Sequence, residues 1–152
     1  MILGVGTDLC EIARMQKAME NPRFLPRVCT SAERERLAPL CPERRAERLA
    51  GLFAAKEAIA KALGTGFSGF GFADIEILPE ENGRPTARLT GGALNALPLP
   101  ARIHVSISHD GGLALAFAVI ESAYGKIAQM RRLAGEWIFR QMQMQISKVY
   151  WR

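Results

Sequence analysis

Apolar and polar positions alternate from the start of the chain. Leu3, Val5, Thr7 and Leu9 fall on one side and Gly4, Gly6 and Asp8 on the other, which predicts a strand over Ile2 to Leu9. Glu11 to Glu20 reads as a short helix ended by Asn21-Pro22. Thr30-x-x-Glu33 is a capping box that opens a helix from Ser31 to Ala38. Pro39 and Pro42 bracket a turn, and a long helix follows from about Glu43 to Leu63. Its apolar face is Leu49, Leu52, Phe53, Ala60 and Leu63 at three- and four-residue steps, and Gly64 and Gly66 supply its stop. Beyond a glycine-rich loop, Thr65 to Gly71, the pattern returns to short alternating segments. These are Ala73 to Leu78, a turn at Glu80 to Pro85 with the hairpin signal Asn82-Gly83, and Thr86 to Leu89. A short helix, Gly91 to Leu97, is ended by Pro98 and Pro100. Arg102 to His109 alternates cleanly, with Ile103, Val105 and Ile107 on one face and His104, Ser106 and Ser108 on the other. Asp110-Gly-Gly112 turns the chain into a partner strand, Leu113 to Glu121, whose Ala114, Ala116 and Ala118 face lets a helix pack closely. The expected fold class is α+β, one long helix packed on an antiparallel sheet.

Charge divides the chain in two. From Ser122 onward there are six basic residues and one acid, which accounts for the whole net charge of +5 and leaves fourteen of each sign before it. Ile127, Met130, Leu133, Ala134, Trp137, Ile138, Met142 and Ile146 keep roughly helical spacing in that tail. Residues 1–121 are therefore expected to form a neutral domain, and residues 122–152 a basic amphipathic C-terminal extension, helical from about Lys126. Such a helix can pack on the domain, on a neighbouring subunit or on a membrane surface. No apolar run approaches the roughly 20 residues of a membrane span, and Asp8 and Glu11 interrupt the N-terminal apolar stretch, so no signal peptide is expected. Cys10, Cys29 and Cys41 form no metal-ligand spacing, and their odd count fits reduced thiols in a cytoplasm.

The candidate chemistry lies on the long helix and the first strand. Glu57 and Lys61 are one turn apart on the flank of the apolar face, and Ala50 and Ala54 continue that flank, which leaves room for a ligand along the helix. Alone the pair means little, since Glu followed four residues later by Lys is common on solvated helices. Two glycines before Asp8 on one strand face are expected to leave open space beside the carboxylate, although Asp8 also suits a strand end that caps a turn. Lys56 falls inside the apolar arc, where it would snorkel past the core or face a subunit seam. Arg14, Lys17, Arg23 and Arg27 make either a solvated face or a basic one for an acidic partner. The His104-Ser106-Ser108 face is either solvated or anion-binding; it is neither a metal box nor a serine hydrolase elbow.

Three segments together resemble the motifs of holo-acyl-carrier-protein synthases, the small 4′-phosphopantetheinyl transferases. They are Gly4-Val-Gly-Thr-Asp-Leu-Cys-Glu-Ile12, Phe53-Ala-Ala-Lys-Glu-Ala-Ile-Ala-Lys-Ala-Leu-Gly-Thr-Gly66 and His104-Val-Ser-Ile-Ser-His109. Arg23-Phe24, Thr30-x-x-Glu33, Asp74-Ile-Glu76 and Asn82-Gly-Arg-Pro85 add to the resemblance, which covers about residues 1–121.

The resemblance implies transfer of the 4′-phosphopantetheine of coenzyme A to a serine of an acidic apo acyl carrier protein, in support of fatty acid biosynthesis. It implies the 4′-phosphopantetheinyl transferase fold, and a homotrimer with sites between subunits. It assigns Asp8 and Glu57 to a Mg²⁺ ion and Lys61 to the phosphates. A hard cation held by one or two carboxylates suits charge building on phosphate oxygens. Cys10 stands where larger members of the superfamily carry a second acid, so a water is expected in that part of the shell. Glu57, Lys61 or a metal-bound water is the general base. The resemblance places Gly64 and Ser68 along the phosphopantetheine, with Asn82, Gly83, Arg84, Pro85, His104 and Ser106 of a neighbouring subunit on the nucleotide. It gives Arg14, Arg23 and Arg27 to carrier docking. Leu52 departs from relatives that carry Trp or Arg there, and the tail has no counterpart in short members. Two other readings are a non-catalytic module whose tail binds nucleic acid or membrane, and a relative that binds coenzyme A without turnover. The complete acid–lysine set argues against both, so nucleic acid is not expected as a partner.

Overall fold

The computed structural model describes residues 1–98 and 100–123. The expected C-terminal helix lies outside these residues. Among these residues, five strands and five helices follow in chain order: β1 (Ile2–Glu11), α1 (Ile12–Ala18), α2 (Phe24–Val28), α3 (Ser31–Leu37), α4 (Pro42–Ala62), β2 (Ile75–Pro79), β3 (Pro85–Leu89), α5 (Gly91–Ala96), β4 (Ala101–Asp110) and β5 (Leu113–Ser122). A 3₁₀ turn, Phe72–Asp74, precedes β2. One antiparallel sheet has the order β1-β5-β4, and β2 and β3 form a separate hairpin. The α+β class read from the sequence is the one observed.

Helix α4 lies across the inner face of the three-stranded sheet. Ala114, Ala116 and Ala118 of β5 are fully buried under it, the close approach that their small side chains permit. Gly4 and Gly6 of β1 make the contact tighter. A Cβ on either would run into the carbonyl oxygen of Ala62 or Ala58, so the last turns of α4 rest directly on the strand backbone. The space expected beside those glycines is filled by helix. Ala50 and Ala54 are likewise fully buried, so the flank that looked open to a ligand is a packing surface. Leu49, Ile59, Ile75 and Ile120 complete the core, each contributing about 1.5–3 kcal/mol by its burial.

Several boundaries moved for local reasons. β1 runs on to Glu11 because Cys10 and Glu11 pair with Ala114 and Leu113, which delays α1 to Ile12. Arg23 to Arg27 gained a short helix, α2, in which Pro26 sits in the first turn, where its missing N–H costs nothing. Pro42 opens α4 for the same reason. Lys56 neither snorkels nor faces outward: it is fully buried against Glu33, and the capping box that begins α3 is part of the same cluster.

The outer face of the sheet is apolar and exposed. Val5 (51%), Leu9 (56%), Leu115 (45%) and Phe117 (45%) lie there beside Ser106 and Ser108. Among the described residues, no helix is long and apolar enough to cross a membrane.

Candidate active site

Asp8 shares the inner side of β1 with Gly4 and Gly6, so it faces α4. The close seating of the helix on those glycines brings the last turns of α4 to the carboxylate. Lys61 Nζ donates to Asp8 Oδ1 at 2.8 Å and to the Thr7 carbonyl at 3.0 Å. Thr7 is itself fixed by donation from Oγ1 to the Ala116 carbonyl. The hydrogen bond to Asp8 raises the pKa of Lys61, which therefore stays protonated at neutral pH. Glu57, one turn earlier, is half-buried. Burial first and the nearby Asp8 charge second push its carboxyl above the usual glutamate range, against the pull of Lys61 and Arg14. A carboxyl whose ionisation is disfavoured by burial and by a neighbouring carboxylate suits a divalent cation, whose charge would favour the ionised form.

Cys10 follows on the same strand side as Asp8 and is buried. Desolvation raises its pKa, with Asp8, Glu11 and Glu57 adding to the effect and Arg14 opposing it. A neutral thiol is a poor ligand for a hard cation. No cluster of three or more His, Cys, Asp or Glu suited to a metal occurs among the described residues. The donor set fits Mg²⁺, which needs only one or two protein carboxylates and fills its remaining positions with water and phosphate oxygens.

Arg14 borders this group from α1. Its guanidinium carbon lies 5.5 Å above the Phe53 ring centre, one turn before Glu57. Phe53 stacks on Phe72 at 4.9 Å between centroids, and Phe72 on Phe67 at 4.0 Å, so an aromatic column runs from α4 to the glycine-rich loop. Gly64, at the end of α4 just beyond Lys61, and Ser68, in that loop, are exposed. Arg23 and Arg27 are exposed at the two ends of α2.

The remaining candidates stand elsewhere. Asn82, Gly83, Arg84 and Pro85 form the β2–β3 turn, where Asn82 Oδ1 accepts from the Arg84 amide at 2.9 Å. Gly83 and Pro85 line a cleft of about 190 Å³ with Glu47, Arg48, Leu52 and His109. His109 Nε2 is 3.3 Å from Glu47 Oε1. Leu52, the departure from the family pattern, is buried in that wall, and Arg48 stands one turn before it. Arg84 and His104 line a second cleft, of about 370 Å³, with Arg102 and Glu80. His104 Nε2 is 2.9 Å from Glu121 Oε2. His104 and Ser106 pair across the sheet with Val119 and Phe117, and Asp8 pairs with Ala116. Alternation along β5 therefore puts His104 and Ser106 on the outer face and Asp8 on the inner one. Within one chain the structure joins Asp8, Glu57, Lys61 and Arg14, and sets His104 and Ser106 on the opposite face of the sheet. Sequence reading passed over Arg48, whose only signal is its place one helical turn before Leu52.

Comparison with known proteins identifies the family of the chain. Residues 4–118 match the 4′-phosphopantetheinyl transferase superfamily. A holo-[acyl-carrier-protein] synthase of Clostridium novyi is 45% identical over 124 residues, covering 80% of this chain and 88% of that one. The crystal structure of a holo-(acyl-carrier-protein) synthase from Bacillus anthracis, in complex with CoA (3′,5′-ADP), superposes with a TM-score of 0.71 at 36% identity, over 81% of this chain and 99% of that one. The Helicobacter pylori synthase in complex with coenzyme A gives 0.66 at 30% identity, over 77% and 99%. The chain belongs to the 4′-phosphopantetheinyl transferase superfamily, within its holo-acyl-carrier-protein synthase family.

Proposed function

We propose that this protein moves the 4′-phosphopantetheine of coenzyme A to a serine hydroxyl of an acidic apo acyl carrier protein and releases adenosine 3′,5′-bisphosphate. The observation that carries the reading is the joining of Asp8, Glu57 and Lys61 at the end of α4. In the reaction the serine oxygen forms a bond to the phosphorus next to pantetheine, and the bond from that phosphorus to the bridging oxygen breaks. Asp8 and Glu57 would hold Mg²⁺, which would supply positive charge to the phosphate oxygens. Lys61, held beside Asp8, adds a second positive group there. The serine proton passes to Glu57, to Lys61 or to a water. Gly64 and Ser68 border the pantetheine arm.

Arg14, Arg23 and Arg27 receive the acidic carrier, with Arg14 placing it beside Glu57. Complementary charge of this kind mainly raises the on-rate and fixes orientation. A carrier KM that stays flat from low to high salt would remove this part of the reading. The opposite placement of His104 and Ser106 fits a ligand bridging two copies, one giving Asp8, Glu57 and Lys61, the other giving Asn82 to Pro85, His104 and Ser106. The exposed apolar outer face of the sheet is the surface on which copies would meet, as a homotrimer. The product serves acyl-chain assembly in fatty acid biosynthesis, in the cytoplasm.

The test is the intact mass of an apo carrier protein incubated with this protein, coenzyme A and Mg²⁺. A phosphopantetheine increment is expected, and its loss with EDTA, Asp8→Ala or Glu57→Ala. A folded protein that binds coenzyme A yet modifies none of several carriers would overturn the transfer reading.

A further inference from the structure

Lys56 is the residue just before Glu57, and its ammonium is sealed from solvent. All three of its donors are used. They reach Glu33 Oε2 at 2.6 Å, the Val28 carbonyl at 2.7 Å and the Phe72 carbonyl at 3.1 Å. Glu33 is equally committed: Oε2 also accepts from the Thr30 amide at 2.8 Å, and Oε1 accepts from the Ile77 amide at 2.7 Å. Thr30 Oγ1 extends the network to Glu76 Oε2 at 2.8 Å. A buried pair of this kind adds little stability over an apolar pair of the same volume. Stability alone therefore does not account for it, and what it joins is the better guide.

Val28 is the last residue of α2, directly after Arg27. Its carbonyl is one of those a helix end leaves without an internal partner. Helix α2 has only five residues, too short to hold its own shape, and its backbone is tied at its ends by the Cys29 amide on the Leu25 carbonyl and the Phe24 amide on the Asn21 carbonyl. The segment around Phe72 is differently placed. Gly71 and Asp74 bond each other through the Gly71 amide and Asp74 Oδ2, and through the Asp74 amide and the Gly71 carbonyl, while the Thr90 amide holds the Asp74 carbonyl. Loss of Lys56 thus leaves the loop with other polar anchors, but takes from α2 its hydrogen bond to α4 and leaves only the apolar packing of Phe24, Leu25 and Val28 to place it.

We propose that Lys56 is a positioning residue that fixes α2 and its arginines to the helix that carries Glu57, so that a docked carrier presents its serine to the right place. This rests on the reading of α2 as a carrier-docking element. Because Lys56 and Glu57 are consecutive on one helix, the docking surface and the acid pair share a rigid frame. Lys56 touches neither substrate in this account.

The experiment is steady-state kinetics of the paired variant Lys56→Met/Glu33→Gln, which leaves no uncompensated buried charge, with apo carrier and coenzyme A varied separately. The carrier KM should rise about tenfold, as a small displacement of a positioning surface does, with less than a twofold change in coenzyme A binding. A folded variant with an unchanged carrier KM overturns the proposal. Arg23→Ala/Arg27→Ala is run in parallel: if it too leaves the carrier KM unchanged, it is the docking reading that fails. NMR on the wild-type protein provides a test free of any folding defect. Adding apo carrier should shift the Lys56 ammonium and Val28 carbonyl resonances along with the surface amides of α2. Amide shifts on α2 with both of those resonances static would also overturn it.

Discussion

Lys56 and Lys61 stand on either side of Glu57 on one helix, and each meets a carboxylate. Lys56 and Glu33 are excluded from water, with 1% and 0% of their side chains accessible, and every donor of the lysine is spent on the protein. Lys61 keeps 51% of its side chain accessible and Asp8 keeps 18%, and the lysine makes two bonds, both to β1. The first pair is fixed by its surroundings; the second can rearrange when a phosphate or a cation arrives. The same chemical pairing thus does structural work where it is enclosed and stays available for chemistry where it is open.

Substitutions should split the two sites cleanly. Lys56→Met alone strands the Glu33 carboxylate in the core and should cost roughly 3–5 kcal/mol in urea unfolding, most of it recovered when Glu33→Gln is added. Asp8→Ala or Glu57→Ala should lower the transfer rate by about a thousandfold, in the range of lost electrostatic stabilisation of phosphoryl transfer, while the fold persists. Lys61→Met should lower the same rate by about a hundredfold, a loss of transition-state stabilisation near 2.7 kcal/mol, yet shift stability by no more than about 0.5 kcal/mol, since the pair is exposed. A Lys61→Met protein as unstable as Lys56→Met would erase the contrast.

The smallest effect is on pH dependence. The raised pKa of Glu57 means that the metal-free native protein binds more protons than the unfolded chain between the ordinary glutamate value and the raised one. The contribution of Glu57 to stability without metal should therefore fall as pH rises through that window, and Glu57→Gln should remove that contribution. Thermal unfolding across acidic to neutral pH in EDTA reads this directly. A wild-type minus Glu57→Gln difference of the opposite sign would mean that Glu57 gains more from Lys61 and Arg14 than it loses to burial and Asp8.

Much of this was legible in the chain because it depends on near neighbours. The period of α4, the alternation of β4, the small face of β5 and the Thr30–Glu33 cap are each written within a few residues. What was misread depends on partners far away in sequence. Gly4 and Gly6 looked like open space because nothing in β1 announces that the backbone of α4 will fill it. Ala50 and Ala54 looked like a ligand trough for the same reason. Lys56 looked like a stray charge because its partner Glu33 lies on another helix, hidden inside a capping box that already explained it. The acid–lysine group was legible as residues, but only the seating of α4 on β1 brings Asp8 to Lys61. The face opposition of Asp8 and His104 follows from strand order, β1-β5-β4, which no local pattern states.

The claim at the centre is that Asp8 and Glu57 together hold one divalent ion in the site where Lys61 meets the phosphates. Mn²⁺ binding followed by electron paramagnetic resonance, in the presence of coenzyme A, addresses it without reliance on turnover. The wild-type protein should bind one ion per chain, and Asp8→Asn and Glu57→Gln should each weaken that binding by about tenfold or more, the loss expected when a two-carboxylate site keeps one. Two folded variants that bind the ion as tightly as the wild type would contradict the account.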